Sequence, residues 1–359
     1  MNKRILIYSG LVWHGLSESH CHNLTRCLTK NNKVFYLEMP YCTDKTKPHI
    51  CRNKSVDIPD NLTLISYDGE ESPGLHYFIA AQFHTFWSFV FNHKKFDTAI
   101  LYNIYDLPFL LLCKLFRKKV VYAIVDEYTE LVPNKFWHNV LTFNEKFFLK
   151  LSNKRFCTAK ALQSKASDVV YIPNTVRLTN KTYAPKNNSS NEPYRVGIVG
   201  SLSNWIDIDA INTAAKELFP SGVEIHIVGT GNSLNLIEDH PNVIKHGHVS
   251  KERVDELLAT FDAGLVPFKI NKITNSVSPV KMFEYFQAGL PVIASCTEEL
   301  NQYNEIIYYY KNGKELAERI LYLKNNKTTA KLKREQGKKF IKEHNWDKLT
   351  ETFERMIEE

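Results

Sequence analysis

No apolar run in this 359-residue chain approaches the roughly 20 residues that a helix needs to cross a bilayer. Its opening, M-N-K-R-I-L-I-Y-S-G-L-V-W, has too short an apolar stretch, and no small-residue cleavage site follows. It reads as a first buried strand rather than a signal peptide. The seven cysteines (Cys21, Cys27, Cys42, Cys51, Cys113, Cys157 and Cys296) are scattered, without C-x-x-C pairs. Odd in number as well, they read as reduced, mostly packing thiols in the cytoplasm. No G-x-G-x-x-G follows the first strand, so a dinucleotide site is not indicated. Finger spacings, Arg-rich tracts and RNP-like aromatic patterns are also missing, which leaves nucleic acid unsupported. What is present is ordinary for a globular protein: 43% hydrophobic and 24% charged residues, and length for two separate cores. The net charge of +7 suits polyanionic partners such as nucleotide diphosphates or anionic lipid surfaces.

The most informative stretch is S-P-V-K-M-F-E-Y-F-Q-A-G-L-P-V-I-A-S, residues 278–295. Ser278 and Pro279 read as an N-cap and first helical position. Gly289 and Pro291 read as a helix stop, and Val292 to Ala294 as a buried strand. The free N–H groups at such a helix start favour anions. Lys281 lies in its first turn and Glu284 three residues on, along one face. A cation near a diphosphate and a carboxylate one turn deeper suit a nucleotide; simple pairing of the two is the plainer reading.

The N-terminal half opens as β-α-β, with a strand at Ile5 to Ser9 and a polar, aromatic loop containing Trp13, His14, Ser17 and Glu18. In such units this loop lies at the ligand-binding carboxyl edge of the sheet. Residues 40–75 look irregular. Two apolar stretches follow, the aromatic Tyr77 to Phe91 and then Leu107 to Phe116, which ends in Arg117, Lys118 and Lys119. Apolar helices with cationic ends suit either a membrane surface or a core helix with a solvated end. The strand Val120 to Val125 delivers Asp126 and Glu127 to its carboxyl end, facing a ligand or capping the next helix. Residues 174–192, with K-N-N-S-S-N-E-P, read as an exposed linker. Beyond it strands and helices alternate again, with Gly200, Gly229 and Gly231 at strand ends, to a last helix near Trp346 to Ile357. Two such domains imply a cleft lined by strand ends. D-I-D at Asp207 to Asp209 reads as helix-start acids, not a metal-binding D-x-D.

V-G-I-V-G-S, H-I-V-G-T-G, H-G-H-V-S-K-E-R-V-D-E-L-L-A, G-L-V-P-F and the 278–295 stretch resemble, in order and spacing, the "group 1" glycosyltransferases of GT-B fold. The N-terminal half is similar to a branch with teichuronic-acid and xanthan-type glucuronosyltransferases, through the Trp13 to His22 loop, V-V-Y-A-I-V-D-E, Glu145 and the W-I-D after Gly200. The resemblance implies an α/β protein of two Rossmann-like doubly wound domains facing each other across a cleft. These are an acceptor-binding domain over 1–173, a linker over 174–192, a nucleotide-sugar domain over 193–343, and a helix over 344–359 returning to the first domain. It implies that Glu284 holds the ribose, while Lys281, Ser278, Pro279 and Val280 hold the diphosphate. Gly200, Ser201 and Gly229 would lie beside the phosphates, and His248, Val249 and Ser250 near the base. Asp126 would be the general base, with Glu127 its rival. Trp13, His14, His20 and His22 would face the acceptor, with a core-edge histidine as the alternative. No metal or other cofactor is implied.

Two departures matter. Many retaining members have a glutamate eight residues before the ribose-binding one; here that position is Ser276, which leaves room for inversion. At Ser19 to His22 the relatives often have Arg-Pro-Gln or Arg-Pro-His. The expected function is transfer of a sugar, from a UDP-sugar in preference, to a cell-envelope glycan or lipid-linked saccharide. The expected location is the cytoplasm, with peripheral contact with the inner membrane surface. The rivals are a catalytically silent nucleotide-sugar-binding protein and a GT-B sugar-nucleotide epimerase.

Overall fold

Short apolar runs such as V-V-Y-A-I and V-E-I-H-I-V form parallel strands buried on both faces, which is why they lack strict alternation with polar residues. The structure, a computed structural model, describes residues 2–13, 19–42, 57–67, 70–71, 75–132, 134–178 and 192–358. His14, Ser17, Glu18 and most of the 174–192 linker lie outside them. The chain divides into two compact units, Met1–Pro173 with Trp346–Glu359, and Asn174–Asn345.

The first unit contains β1 (Arg4–Tyr8), β2 (Lys33–Leu37), β3 (Tyr41–Cys42), β4 (Leu62–Ile65), β5 (Glu70–Glu71), β6 (Thr98–Leu101), β7 (Lys119–Ile124), β8 (Lys154–Cys157) and β9 (Val169–Tyr171). Seven of these make one parallel sheet in the order β4-β2-β1-β6-β7-β8-β9, while β3 and β5 form a separate two-residue pair. The region read as irregular therefore supplies an edge strand, L-T-L-I, held by its register with β2. The helices are α1 (His20–Leu28), α2 (Leu75–Asn92), α3 (Leu107–Leu115) and α4 (Lys135–Leu151).

The second unit has β10 (Tyr194–Val199), β11 (Val223–Val228), β12 (Val243–Gly247), β13 (Ala263–Val266), β14 (Val292–Ser295) and β15 (Tyr308–Tyr310), parallel in the order β12-β11-β10-β13-β14-β15. Its helices are α5 (Ile208–Leu218), α6 (Lys251–Thr260), α7 (Lys272–Asn275), α8 (Val280–Ala288), α9 (Gly313–Asn325) and α10 (Lys327–Glu343). In both sheets the strand order reverses beside the first strand of the unit. In open α/β sheets ligands collect at the carboxyl side of such a reversal.

The last helix, α11 (Trp346–Glu358), belongs to the first unit. Its apolar face places Trp346, Phe353, Met356 and Ile357 in the core beside α1 and β8. Trp346 meets His20 edge-on at 4.8 Å, Phe353 meets Phe156 at 5.5 Å, and Lys30 pairs with Asp347 at 2.5 Å.

Candidate functional site

In the second unit the site grows from three strand ends. Gly200 follows β10, Gly229 follows β11, and His248 follows β12. Their loops are tied by backbone bonds: Gly200 N–H to Val228 O at 2.9 Å, Leu202 N–H to Thr230 O at 3.0 Å, and Gly229 N–H to Gly247 O at 2.8 Å. Gly229 has φ +135°, and a Cβ there would sit 1.9 Å from the Gly200 carbonyl oxygen. Only glycine allows both that dihedral and that approach.

Helix α8 arrives over this edge. Gly289 closes it in the left-handed conformation, as its sequence demands. Tyr285 pins its buried face: the hydroxyl accepts from Val199 N–H at 2.9 Å and donates to Leu265 O at 3.3 Å. On the accessible face the Lys281 stem lies against Gly200, 3.7 Å from where a Cβ would be. Lys281 Nζ reaches Glu284 Oε2 at 2.6 Å. Gly200, Gly229, Lys281 and Glu284 are thus brought together. Ser201 and His248 are exposed on neighbouring loops, and Val249 is half-buried against the core.

The N-cap reading of Ser278 is corrected. Pro279 occupies the cap position, and Ser278 makes no capping bond. The serine is buried and held by Asn174, whose N–H donates to Ser278 Oγ at 3.2 Å and whose Nδ2 donates to Ser278 O at 2.7 Å. Nothing local to S-P-V-K signals that contact across 104 residues. Ser276 is also buried and donates to Lys272 O at 3.2 Å, so no carboxylate stands there. Asp207 caps α5 through Ala210 N–H at 3.1 Å. Among the described residues no group of three or more His, Cys, Asp or Glu is placed to hold a metal ion.

In the first unit Asp126 follows the carboxyl end of β7. It is half-buried, with no hydrogen-bond or ion-pair partner among the described residues. Burial, reinforced by the neighbouring Glu127 charge, lifts its carboxyl to about 7. Glu127 is engaged elsewhere: Lys165 Nζ lies 2.9 Å from it and 2.7 Å from Glu145 Oε1, which also accepts from Tyr122 at 3.2 Å. Lys165, in a 3-10 turn, was not picked out from sequence; no spacing rule links it to residues 127 and 145.

The acceptor residues fare differently. Trp13 is buried, with its backbone N–H on Glu38 at 2.6 Å and its indole N–H on Asp57 O at 3.2 Å. His20 is buried between Tyr102 O–H at 3.1 Å and Ile172 O at 3.3 Å, and burial pulls its pKa down to about 3. His22 closes the capping box of α1 and bonds Val12 O at 2.9 Å. These three side chains are core groups, so the acceptor role read for them has no accessible side chain behind it. His14 lies outside the described residues.

Residues 209–355 match a family model described as glycosyl transferase-like. Over 74 residues the chain is 30% identical to the protein of Bacillus subtilis (strain 168) named "Putative teichuronic acid biosynthesis glycosyltransferase TuaH". That match spans 20% of this chain and 19% of TuaH. The chain is similar in structure to Anabaena Alr3699/HepE, solved in complex with UDP and glucose, with a TM-score of 0.69 and 13% identity over 99% of this chain and 100% of that one. It is also similar to an α,α-trehalose-phosphate synthase (UDP-forming) from Burkholderia xenovorans, with a TM-score of 0.71 and 10% identity over 99% and 100%. The fold is GT-B, and the C-terminal unit carries a glycosyl transferase-like sequence, in agreement with the resemblance of the motifs to group 1 GT-B glycosyltransferases.

Proposed function

We propose that the chain transfers a sugar from a nucleoside diphosphate, UDP in preference, to a hydroxyl of a cell-envelope glycan or lipid-linked saccharide. The observation that carries the reading is the Gly200, Gly229, Lys281 and Glu284 cluster at the carboxyl edge of the second sheet. The diphosphate would lie against the free N–H groups opening α8, with the Lys281 ammonium beside it. The Glu284 carboxylate would accept from the ribose hydroxyls. Donor binding then exchanges the Lys281–Glu284 pair for two ligand contacts, a modest loss since an accessible ion pair contributes about 1 kcal/mol or less. The similarly folded HepE, solved with UDP and glucose, supports the donor class, and the teichuronic acid biosynthesis in the name of TuaH supports a glycan acceptor.

For the chemistry we assign Asp126 as base and Glu127 as a charge that keeps it basic. The acceptor hydroxyl gives its proton to Asp126 as its oxygen bonds the anomeric carbon. The carbon–oxygen bond to the diphosphate breaks on the opposite face, and UDP leaves with the electron pair. Inversion results. Lys281 and the α8 dipole offset the charge that develops on the leaving group, a task that elsewhere can fall to a metal.

Turnover with UDP-sugar and acceptor, measured beside UDP binding, tests this. Asp126→Asn is expected to lower kcat by about 10²–10⁴ with UDP affinity kept, Glu284→Ala to lose UDP affinity, and wild-type turnover to survive EDTA. Wild-type turnover by Asp126→Asn would remove the base assignment and leave the donor site standing. UDP release from donor alone would favour the epimerase instead.

A further inference from the structure

We propose that the outer face of α2, together with the end of α3, docks on an anionic lipid bilayer. A helix on a soluble surface turns polar side chains outward. On α2, Ala81 and Phe89 face the core, yet seven large apolar side chains of the same helix are exposed, from Val90 at 38% to Phe91 at 72%. Phe83, Trp87 and Phe91 follow one another at the i, i+4 spacing of a single stripe. Trp87 lies 5.5 Å from the Phe86 ring and 5.7 Å from Phe91. The surface continues at the end of α3, where Leu115 is 75% exposed and Phe116, just past the helix, is 45% exposed with its ring 5.4 Å from that of Phe89.

Charge says what covers it. Between residues 75 and 119 stand six Lys or Arg and two Asp. Both aspartates are spoken for: Asp97 is held by Arg4 at 2.6 and 2.8 Å, and Asp106 is buried, capping α3 through Phe109 N–H at 3.0 Å. Lys94 and Lys95 are exposed just past α2, and Arg117 just past α3. Arg117 has φ +55°, a left-handed turn where glycine is the easier residue, so a cation stands at the rim in spite of local strain. Aromatic side chains at the headgroup level with cations on the phosphates is the chemistry of an interfacial face. No described helix is long and apolar enough to cross a membrane, so the contact is with the surface.

The inference stands apart from the transfer reading, since vesicle binding needs no donor. The full chain is sedimented with vesicles of phosphatidylglycerol and phosphatidylcholine, and with phosphatidylcholine alone, at low and high salt. The expected result is binding to the anionic vesicles that weakens with salt. Phe83→Ser/Phe91→Ser/Leu115→Ser abolishes it, and Lys94→Glu/Lys95→Glu/Arg117→Glu lowers affinity by roughly tenfold or more. The charge variant leaves the apolar stripe untouched and so keeps the test readable should the first variant fold poorly. Wild-type protein that stays in the supernatant would overturn the proposal, as would either variant binding like wild type. So would a wild-type dimer that the apolar variant breaks without any vesicle binding, which makes the face a contact between copies.

Discussion

Asp126 and Glu127 are neighbours of the same charge, yet their surroundings give them different work. Lys165 holds Glu127 and Glu145 together, while Asp126 has burial and a negative neighbour. With its carboxyl near 7, turnover is expected to rise with pH through that value and level off above it. Glu127→Gln removes the neighbouring charge and should move that limb to lower pH, a shift read from a kcat/KM profile. Stability carries the opposite sign. Between the ordinary carboxylate value and 7 the folded state binds the proton that the unfolded state has released, so this group costs stability as pH rises. Asp126→Asn should therefore raise the unfolding free energy at pH 8 by on the order of 2 kcal/mol, allowing for solvent screening of a half-buried group, and change little at pH 4. Much of this was legible: V-V-Y-A-I-V-D-E puts the carboxylates at a strand end. The choice between them was not, because it turns on Lys165, which only the fold brings near.

At the scale of elements, α8 was legible from both ends, through Lys281 and Glu284 on one face and the Gly289 stop. Its first turn was misread by one position, because Ser278 is taken up by Asn174 from the start of the same unit. Capping rules are local, and a competing long-range partner is invisible to them. The glycine turns under α8 give an element-level test with an internal control. Gly229→Ala puts a methyl 1.9 Å from the Gly200 carbonyl, so the two loops must part. A stability loss of roughly 2 kcal/mol or more and a weakened UDP site are expected. Gly247→Ala meets no atom within 4 Å but keeps φ at +69°, so its cost should be the dihedral alone, roughly 1 kcal/mol. Thermal melts with UDP titrations separate the two. Equal losses would mean that loop contact is not what Gly229 protects.

For the whole molecule, the sequence showed two α/β units through strand runs that stop and restart around a polar stretch, while the return of the last helix to the first unit came from the family resemblance and is what the structure has. The interior fate of Trp13, His20 and His22 was hidden, because aromatic and imidazole groups suit a core as well as a ligand loop. His20 is now part of the packing that α11 completes. Each unit has its own sheet with core on both faces, so unfolding need not be a single all-or-none event. Calorimetry is expected to show two transitions that respond to different changes. Phe353→Ala opens a cavity beside Phe156 and should cost the first unit about 3–5 kcal/mol, lowering one transition. UDP at a hundred times its Kd should stabilise the other by about 2.7 kcal/mol, raising it and leaving the first in place. If UDP raised the transition that Phe353→Ala lowers and left a second one in place, the nucleotide would bind the first unit, and the assignment of the donor to the Lys281–Glu284 edge would have to be given up.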